Sequence, residues 1–378
     1  MKKFTGKSSK KTKYLFVARG PGEAGQARAL ADYISKKGGE ILFSLHQKEY
    51  LFFLSRDKQF KIFVIENPKA LKKIAEKEKP DVLLLFNSKM WGGEFSENPG
   101  FKKPKLCLAI DSNWLFNDKK YPRYPFVKWV DRYLVLFPKK IFELGLKERG
   151  GDFILQKNIL KKVIPVGFMP SYEKPHQKTI AALRKKYNLG KQEKLIFSYF
   201  SGFGAGHRIF AFENLVSAVE KLVARGRKIK VLYLGPTKDL DPAKLKKDWL
   251  VKKESLPAEE YFLTLASSDL VFQHQGMVTL AQAISVQIPA ICNVHILKDE
   301  DLPKIHFWEV RPFAKVGACK MFSKSTPIKK ISQEINNLLF NRAAIKKMTK
   351  AQESILENGE ANAFSIIKKL TAKKICEN

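Results

Sequence analysis

Cysteine is scarce in this sequence. The 378 residues contain four cysteines, widely separated and without a CxxC pair: Cys107, Cys292, Cys319 and Cys376. This spacing argues against a disulfide framework and against a cysteine-rich zinc site. We therefore expect the protein to work in a reducing cytoplasm.

Acidic residues are also few. Asp and Glu number 37 against 70 Lys and Arg, which gives a net charge of +33. A surface this positive attracts nucleic acid, an anionic membrane face or phosphorylated substrates. The segment Met1–Lys13 holds six lysines and no acid, but most of the excess is spread along the chain. Because diffuse lysine is just as typical of a surface without a polyanion site, both interpretations stay open.

An uninterrupted apolar run of membrane-spanning length is missing. The stretch Leu270–Leu297 has no charged residue, but four glutamines and Pro289 interrupt it, and Tyr14–Ala18 is too short for a signal-peptide core. Basic and aromatic residues interleave in Lys119–Trp129, which suits a membrane interface as well as an ordinary packed loop. We expect a cytoplasmic protein without a membrane span, either free or peripheral on the inner face of the membrane.

Short apolar runs alternate with stretches of helical spacing in both halves of the chain. The N-terminal runs are Tyr14–Ala18, Ile41–Leu45, Ile62–Ile65, Val82–Phe86, Leu106–Ile110, Tyr133–Phe137 and Val163–Gly167. The C-terminal runs are Leu195–Tyr199, Ile229–Leu234, Asp269–Phe272 and Ala290–Asn293. Such runs are typical of parallel sheets covered on both faces. The sequence therefore predicts an α/β protein with two doubly wound, Rossmann-like domains facing a cleft.

A polar stretch rich in Pro and Lys separates the two halves. We predict an N-terminal domain over 1–167, a linker over 168–194, a C-terminal domain over 195–345 and a helical tail over 346–378. Helices are predicted to begin at Gln26, Phe210 and Thr279, each after a glycine-containing turn.

The segment 274–289, HQGMVTLAQAISVQIP, carries the most specific motif. It follows a buried strand, so its first residues lie at the carboxyl edge of the predicted sheet, where ligands bind in open α/β folds. Gly276 lets the backbone approach a ligand, Thr279 is a candidate helix cap, and the helix amides present donors to a pyrophosphate. His274 can donate to a phosphate oxygen, although a lone histidine more often satisfies a polar turn.

This spacing resembles HxGxxTxxEAxxxGxP, the donor-site signature of many GT-B glycosyltransferases that use nucleotide sugars. The residues in register are His274, Gly276, Thr279, Ala283 and Pro289. The resemblance implies a donor site formed by His274, Gln275, Gly276, Thr279 and Gln282. The loop Ser201–Arg208 resembles the second glycine loop of these enzymes, which touches the donor diphosphate, and implies contacts from Gly202, Gly204 and Gly206.

Two positions depart from the signature. Gln282 stands where the family has a glutamate on the ribose hydroxyls, and Gln287 replaces a glycine. Gln282 can still hydrogen-bond a ribose, but as a neutral amide. The acidic or amide pair that holds the sugar hydroxyls in the family is not evident here, so the donor sugar stays open.

The turn Arg19–Gln26 is a GxxG turn between a strand and a helix, which alone is a weak indicator of phosphate binding. It resembles the turn of the bacterial lipid-linked N-acetylglucosaminyltransferase (MurG-like) family, which implies acceptor contacts from Gly22, Gly25 and Gln26. That family commonly has a histidine after the last glycine. Because the amide of Gln26 cannot act as a general base, Glu23 is the nearest titratable candidate.

A second acceptor-side feature follows the strand Leu106–Ile110. The segment Ala109–Asn113 resembles the family's segment with an acid and an asparagine at the cleft. Asp111 is thus a second candidate base and Asn113 a candidate acceptor contact. Alternatively, Asp111 caps a turn and Asn113 only favours a loop conformation.

Together these patterns predict a glycosyltransferase that moves a sugar from a nucleoside diphosphate, with uridine as the expected base, to a hydroxyl of a lipid-linked or other anionic acceptor. Helix amides rather than a metal would neutralise the leaving diphosphate, and no cofactor is expected. No nucleic-acid-binding module is recognised. One alternative is a GT-B-like binding or scaffold protein without catalysis, motivated by Gln26, Gln282 and Gln287. Another is a nucleotide-sugar epimerase on the same architecture.

Overall fold

Two parallel β-sheets, one in each half of the chain, form the frame of the molecule. The computed structural model describes residues 11–18, 21–45, 60–65, 68–86, 103–111, 129–149, 160–170, 174–190, 192–200, 205–274, 276–294 and 309–376. Within them, the first sheet has the strand order β3-β2-β1-β4-β5-β6-β7 and the second has the order β10-β9-β8-β11-β12-β13. All neighbouring strands run parallel. The predicted fold class is confirmed.

The strands coincide with the apolar runs of the sequence. The first sheet consists of β1 Lys13–Ala18, β2 Glu40–Leu45, β3 Lys61–Val64, β4 Val82–Phe86, β5 Leu106–Asp111, β6 Arg132–Val135 and β7 Val163–Pro165. The second consists of β8 Lys194–Tyr199, β9 Ile229–Leu234, β10 Leu250–Lys253, β11 Leu270–Gln273, β12 Ala290–Asn293 and β13 Lys320–Phe322. Only β10 and β13 were not predicted. Both are short edge strands with lysine at one end, so neither has a continuous apolar run.

Helices cover both faces of each sheet. They are α1 Pro21–Lys36, α2 Pro68–Glu78, α3 Lys139–Arg149, α4 Gln177–Lys186, α5 Ala205–Val223, α6 Pro242–Leu245, α7 Ala258–Ala266, α8 Met277–Ser285, α9 Ile328–Phe340, α10 Arg342–Glu353 and α11 Gly359–Cys376, with a further helical stretch over 309–315. Among the described residues, no helix is long and apolar enough to cross a membrane.

The helices after β1 and β8 begin earlier than the sequence predicts. α1 begins at Pro21 rather than Gln26, and α5 begins at Ala205 rather than Phe210. Proline is favourable at the first helical position because its φ is already helical and the N–H it lacks would have no partner there. The glycines that we interpreted as loop residues therefore lie partly inside the first turns of these helices.

The buried strands explain the continuous apolar runs. All five residues of β4 are buried, and they alternate between two core clusters. Leu83 and Leu85 pack on one face of the sheet, while Leu84 and Phe86 pack on the other. A strand covered on both faces has no polar side, so the alternation typical of a half-exposed strand is absent.

The two halves contact each other through aromatic rings and the terminal helix. The ring of Phe313 lies 5.9 Å from that of Phe137 and 5.7 Å from that of Phe168. α11 returns to the N-terminal half, where Asn362 Nδ2 donates to the Val166 carbonyl at 2.9 Å. The domain limits given above stay a prediction.

Candidate functional site

Both sheets reverse their strand order beside their first strand. β1 lies between β2 and β4, and β8 lies between β9 and β11. In open α/β sheets, ligands bind at the carboxyl ends of the strands at such switch points. The turns that leave β1, β8 and β11 are the ones that the sequence motifs single out, so the candidate residues lie where this fold places ligands.

The turn from β11 to α8 requires a glycine. Gly276 is the N-cap of α8 and has φ 139° and ψ 121°, a conformation that L side chains rarely adopt. A Cβ atom there would meet nothing within 4 Å, so conformation rather than space demands the glycine. Gln273 Nε2 donates to the Gly276 carbonyl at 3.2 Å and fixes the turn against the end of its own strand.

The prediction that Thr279 caps α8 is wrong. Gly276 occupies the cap position, and α8 begins at Met277. Thr279 is buried, and its hydroxyl instead lies 2.9 Å from that of Tyr261 on α7. Burial raises the pKa of Tyr261, so its hydroxyl stays protonated and can donate in this pair. Thr279 therefore links two helices; whether it also touches a donor stays a prediction.

The amino end of α8 keeps its positive partial charge. Its cap residue makes no side-chain hydrogen bond, and its first turn contains no acid. The first N–H groups of a helix have no intrahelical acceptor, and together with the helix dipole they attract anions. This end of α8 therefore has the chemistry of a phosphate site.

His274 precedes this helix end and Gln282 lies in the second turn of α8; both are buried. The His274 ring is 3% exposed and packs edge-on against Phe200 at 6.0 Å. Gln282 is 6% exposed, and its Oε1 has no hydrogen-bond partner in the described part of the chain. The donor contacts predicted for His274 and Gln282 stay predictions. Gln275 lies outside the described residues.

Gln287 replaces the family glycine in a turn rather than in a ligand site. Its φ is 61°, the left-handed region in which glycine is favoured. The Gln287 N–H donates to the Ile284 carbonyl, and the next N–H, of Ile288, reaches back to Ala283 at 2.9 Å. This is the hydrogen-bond pattern of a helix C-terminus that normally ends in glycine. The departure at Gln287 therefore carries a conformational cost and gives no argument against catalysis.

The second glycine loop is only partly described. Gly202 and Gly204 lie outside the described residues, whereas Gly206 is exposed in the first turn of α5. Arg208, one turn into the same helix, is buried and forms an ion pair with Asp239, which follows β9. Arg208 is therefore a member of a structural ion pair.

The amino ends of α1 and α8 meet across the two halves. A Cβ atom placed on Gly22, in the first turn of α1, would lie 3.3 Å from Val278 Cγ2, in the first turn of α8. Gly25 and Gln26 are buried in the following turn of α1. The two switch points are thus brought face to face, which the sequence could indicate only by resemblance.

The two candidate bases lie at the carboxyl edge of the first sheet. Glu23 is in the first turn of α1, where a carboxylate also offsets the helix dipole. Asp111 is the last residue of β5 and is 7% exposed. Asn113 lies outside the described residues. The structure therefore places both carboxylates on one edge, and their catalytic roles stay predictions.

Solved structures share this architecture over nearly their whole length. UGT89C1 of Arabidopsis thaliana in complex with UDP has a TM-score of 0.66 at 13% identity, covering 96% of this chain and all of that one. A candidate UDP-N-acetylglucosamine 2-epimerase from Listeria monocytogenes has a TM-score of 0.64 at 14% identity, covering 94% and 95%. MurG of Acinetobacter baumannii has a TM-score of 0.58 at 13% identity, covering 94% and 99%.

The chain has the GT-B fold. The resemblance of the 274–289 segment is thereby confirmed at the level of fold, since identities this low carry nothing further. A model of a family of unknown function, DUF6365, matches residues 155–307, which contain most of the C-terminal sheet of this GT-B chain. A search of curated proteins gave no match.

One buried polar residue at the carboxyl edge of the second sheet lies outside the sequence motif. Asn293 ends the apolar strand β12 and is fully buried. The only sequence signal is an amide at the carboxyl end of an otherwise apolar strand. Its surroundings become visible only when the neighbouring strands are in place.

Proposed function

We propose that the chain binds a nucleoside diphosphate sugar, with uridine as the base, at the carboxyl edge of its C-terminal sheet. In this proposal it transfers the sugar to a hydroxyl of a lipid-linked or other anionic acceptor held by the N-terminal half. The observation that carries the proposal is the amino end of α8, which has no side-chain cap and no acid and faces the amino end of α1.

The leaving diphosphate would lie at the start of α8. The N–H groups after Gly276 would hydrogen-bond its oxygens, and His274 would add a ring donor. Such fixed donors stabilise the negative charge that grows on the leaving group without a reorganisation cost. Gln282 would contact the ribose with a neutral amide.

Acceptor activation would fall to the first sheet. Asp111 or Glu23 would take the proton of the acceptor hydroxyl, because Gln26 has no group that titrates near neutral pH. Gly22 and Gly25 let the backbone of α1 approach the acceptor closely. The basic surface supports an anionic acceptor and a peripheral position on an anionic membrane.

The test of the donor site is a titration of the full chain with UDP, followed by thermal unfolding. A ligand at a hundred times its Kd stabilises the native state by about 2.7 kcal/mol. Gly276→Ala should abolish most of this stabilisation because it distorts the start of α8. Gly226→Ala is the matched control: φ at Gly226 is also positive, at 78°, and its turn lies at the other end of the sheet. Both substitutions should lower intrinsic stability by roughly 1–3 kcal/mol, but only Gly276→Ala should lose the response to UDP.

Epimerisation is the second candidate, favoured by the likeness to the Listeria protein. Incubation of the chain with UDP-N-acetylglucosamine without an acceptor separates the two reactions. An epimerase would invert a sugar carbon and keep the glycosidic bond to UDP, which NMR detects. A transferase would release UDP only when an acceptor such as a polyprenyl pyrophosphate-linked sugar is added. A chain that binds UDP and does neither would be the binding or scaffold protein.

A further inference from the structure

Four side chains lie side by side across the carboxyl end of the second sheet. Phe200 contacts the ring of His274, and Asn293 is the register partner of Phe322. The register of β11 with β12 ends at Gln273 and Cys292, and its continuation by one residue places His274 beside Asn293, with Cα atoms about 5 Å apart. Because side chains alternate along a strand, all four lie on the face that α5 and α9 cover.

Asn293 is the residue in this row that the fold does not explain. It is fully buried, and neither its Nδ2 nor its Oδ1 has a hydrogen-bond partner among the described residues. Buried polar side chains are nearly always paired, because an unpaired donor or acceptor loses its hydration without compensation. An apolar residue would suit this position better unless the amide binds something.

The chemistry of the amide limits what it binds. A primary amide needs both an acceptor for its N–H groups and a donor for its carbonyl oxygen. A diphosphate offers acceptors only and would leave Oδ1 unpaired. A sugar hydroxyl or an acetamido group offers a donor and an acceptor together, so it can satisfy both atoms of Asn293.

The position of β12 favours the sugar over the base. β12 lies on the side of β11 that is opposite to β8. The chain that follows β12 contains Phe313, which contacts Phe137 and Phe168 at the boundary with the N-terminal half. A sugar that must reach an acceptor in that half would extend from the diphosphate at His274 towards β12.

We infer that Asn293 binds the sugar of the nucleotide sugar through a hydroxyl or acetamido group and thereby discriminates among donor sugars. This inference rests on the proposed function. It assigns the sugar contact for which the sequence motif gave no residue.

The test is calorimetric titration of the full chain with UDP, UDP-glucose and UDP-N-acetylglucosamine. The wild type should bind at least one of the two UDP-sugars more tightly than it binds UDP. Asn293→Val should bind that UDP-sugar about tenfold more weakly than the wild type does, because one to two hydrogen bonds are lost. It should bind UDP as the wild type does. In addition, the ligand-free variant should melt about 2–4 °C higher, because the unpaired amide is gone.

Ser44→Ala is the matched control. Ser44 is fully buried in β2 of the other sheet, and its hydroxyl also has no partner among the described residues. Removal of this hydroxyl should leave the preference for the UDP-sugar over UDP unchanged. Asn293→Ala repeats the measurement with a smaller side chain, which cannot clash with the neighbouring side chains of the row as valine could.

Two results would overturn the inference alone: a variant that keeps the full preference for the sugar, or one that loses UDP and UDP-sugar affinity equally. The same holds if the wild type binds UDP and both UDP-sugars with equal affinity. If the wild type binds none of the three, the proposed function fails as well, and that is seen before any variant is made.

Discussion

The two helices that meet at the cleft begin in opposite ways. α1 begins with Pro21 and carries Glu23 in its first turn. α8 is capped by Gly276, without a side-chain hydrogen bond and without an acid in its first turn. A carboxylate at a helix amino end offsets the positive partial charge there. The first turn of α1 therefore carries its own carboxylate, whereas the first turn of α8 does not.

This difference supports a division of roles between two halves of similar design. An amino end without its own carboxylate suits the diphosphate of a donor, whereas carboxylates on the opposite edge suit proton transfer from an acceptor. The halves share strand order around the switch point, so the contrast resides in a few side chains at the turns. Substitutions at those turns can therefore test this division of roles.

The largest change is expected in turnover, for substitutions that test the role of the N-terminal half. If Asp111 or Glu23 is the general base, then Asp111→Asn or Glu23→Gln should lower turnover by roughly 10²–10⁴-fold while UDP affinity stays unchanged. Steady-state rates and UDP titrations of each variant separate the two quantities. Full turnover in both variants would show that neither carboxylate is the base.

The second prediction concerns a variant whose α8 carries an acid in its first turn, as α1 does. Val278→Asp places a carboxylate in the first turn of α8 and should weaken UDP binding by roughly 10- to 100-fold through charge repulsion. Val278→Asn has the same shape without the charge and should bind UDP nearly as the wild type does. Equal affinities for the two variants would mean that the diphosphate does not lie at this helix end.

The start of α11 is a third case in which the effect of an acid in the first turn can be compared. α11 carries Glu360 in its first turn, but desolvation by burial raises its pKa to about 7. The folded state thus holds a proton that the unfolded state releases above its ordinary pKa of 4.5. Stability from this group is therefore full below pH 4.5 and is lost as the pH rises to about 7.

Glu360→Gln should remove that loss. At pH 8 the variant should be more stable than the wild type by roughly 1–3 kcal/mol, and near pH 4 the two should be alike. Urea unfolding across this pH range measures the difference. Glu353→Gln, on an exposed position of α10, is the control and should follow the wild type. A Glu360→Gln curve parallel to that of the wild type would contradict the assignment.

The smallest effect concerns the other ends of α1 and α8. α1 is followed by Gly38 at φ 90°, whereas α8 is followed by Gln287 at φ 61°. Gln287→Gly should stabilise the chain by about 1 kcal/mol, because glycine adopts this conformation without steric cost. Asn188→Gly, after α4, is the control: asparagine already tolerates its φ of 51°, so the change should be smaller. Thermal unfolding of both variants makes the comparison, and a destabilised Gln287→Gly would show that the side chain has another role.

Eleven of the thirteen described strands, all except β10 and β13, are predictable from the sequence. Strands such as β4 are buried on both faces, so their apolar runs are continuous and need no tertiary information to be recognised. The glycine, histidine and proline spacing of 274–289 likewise indicates the GT-B fold from local sequence. The starts of α1 and α5 were placed too late because glycine near a helix start is compatible with both a loop and a first turn.

The meaning of the departures from the motif depends on the tertiary structure. Gln282 and Gln287 look alike as substitutions, yet one is a buried amide beside the candidate site and the other a turn residue with positive φ. Asn293 became a candidate only when its neighbours on both adjacent strands showed that nothing satisfies it. These properties depend on backbone angles and on partners distant in sequence, which local pattern does not encode. The composition of a segment fixes how it folds locally, and the packing of the whole chain fixes which of its polar groups remain for a ligand.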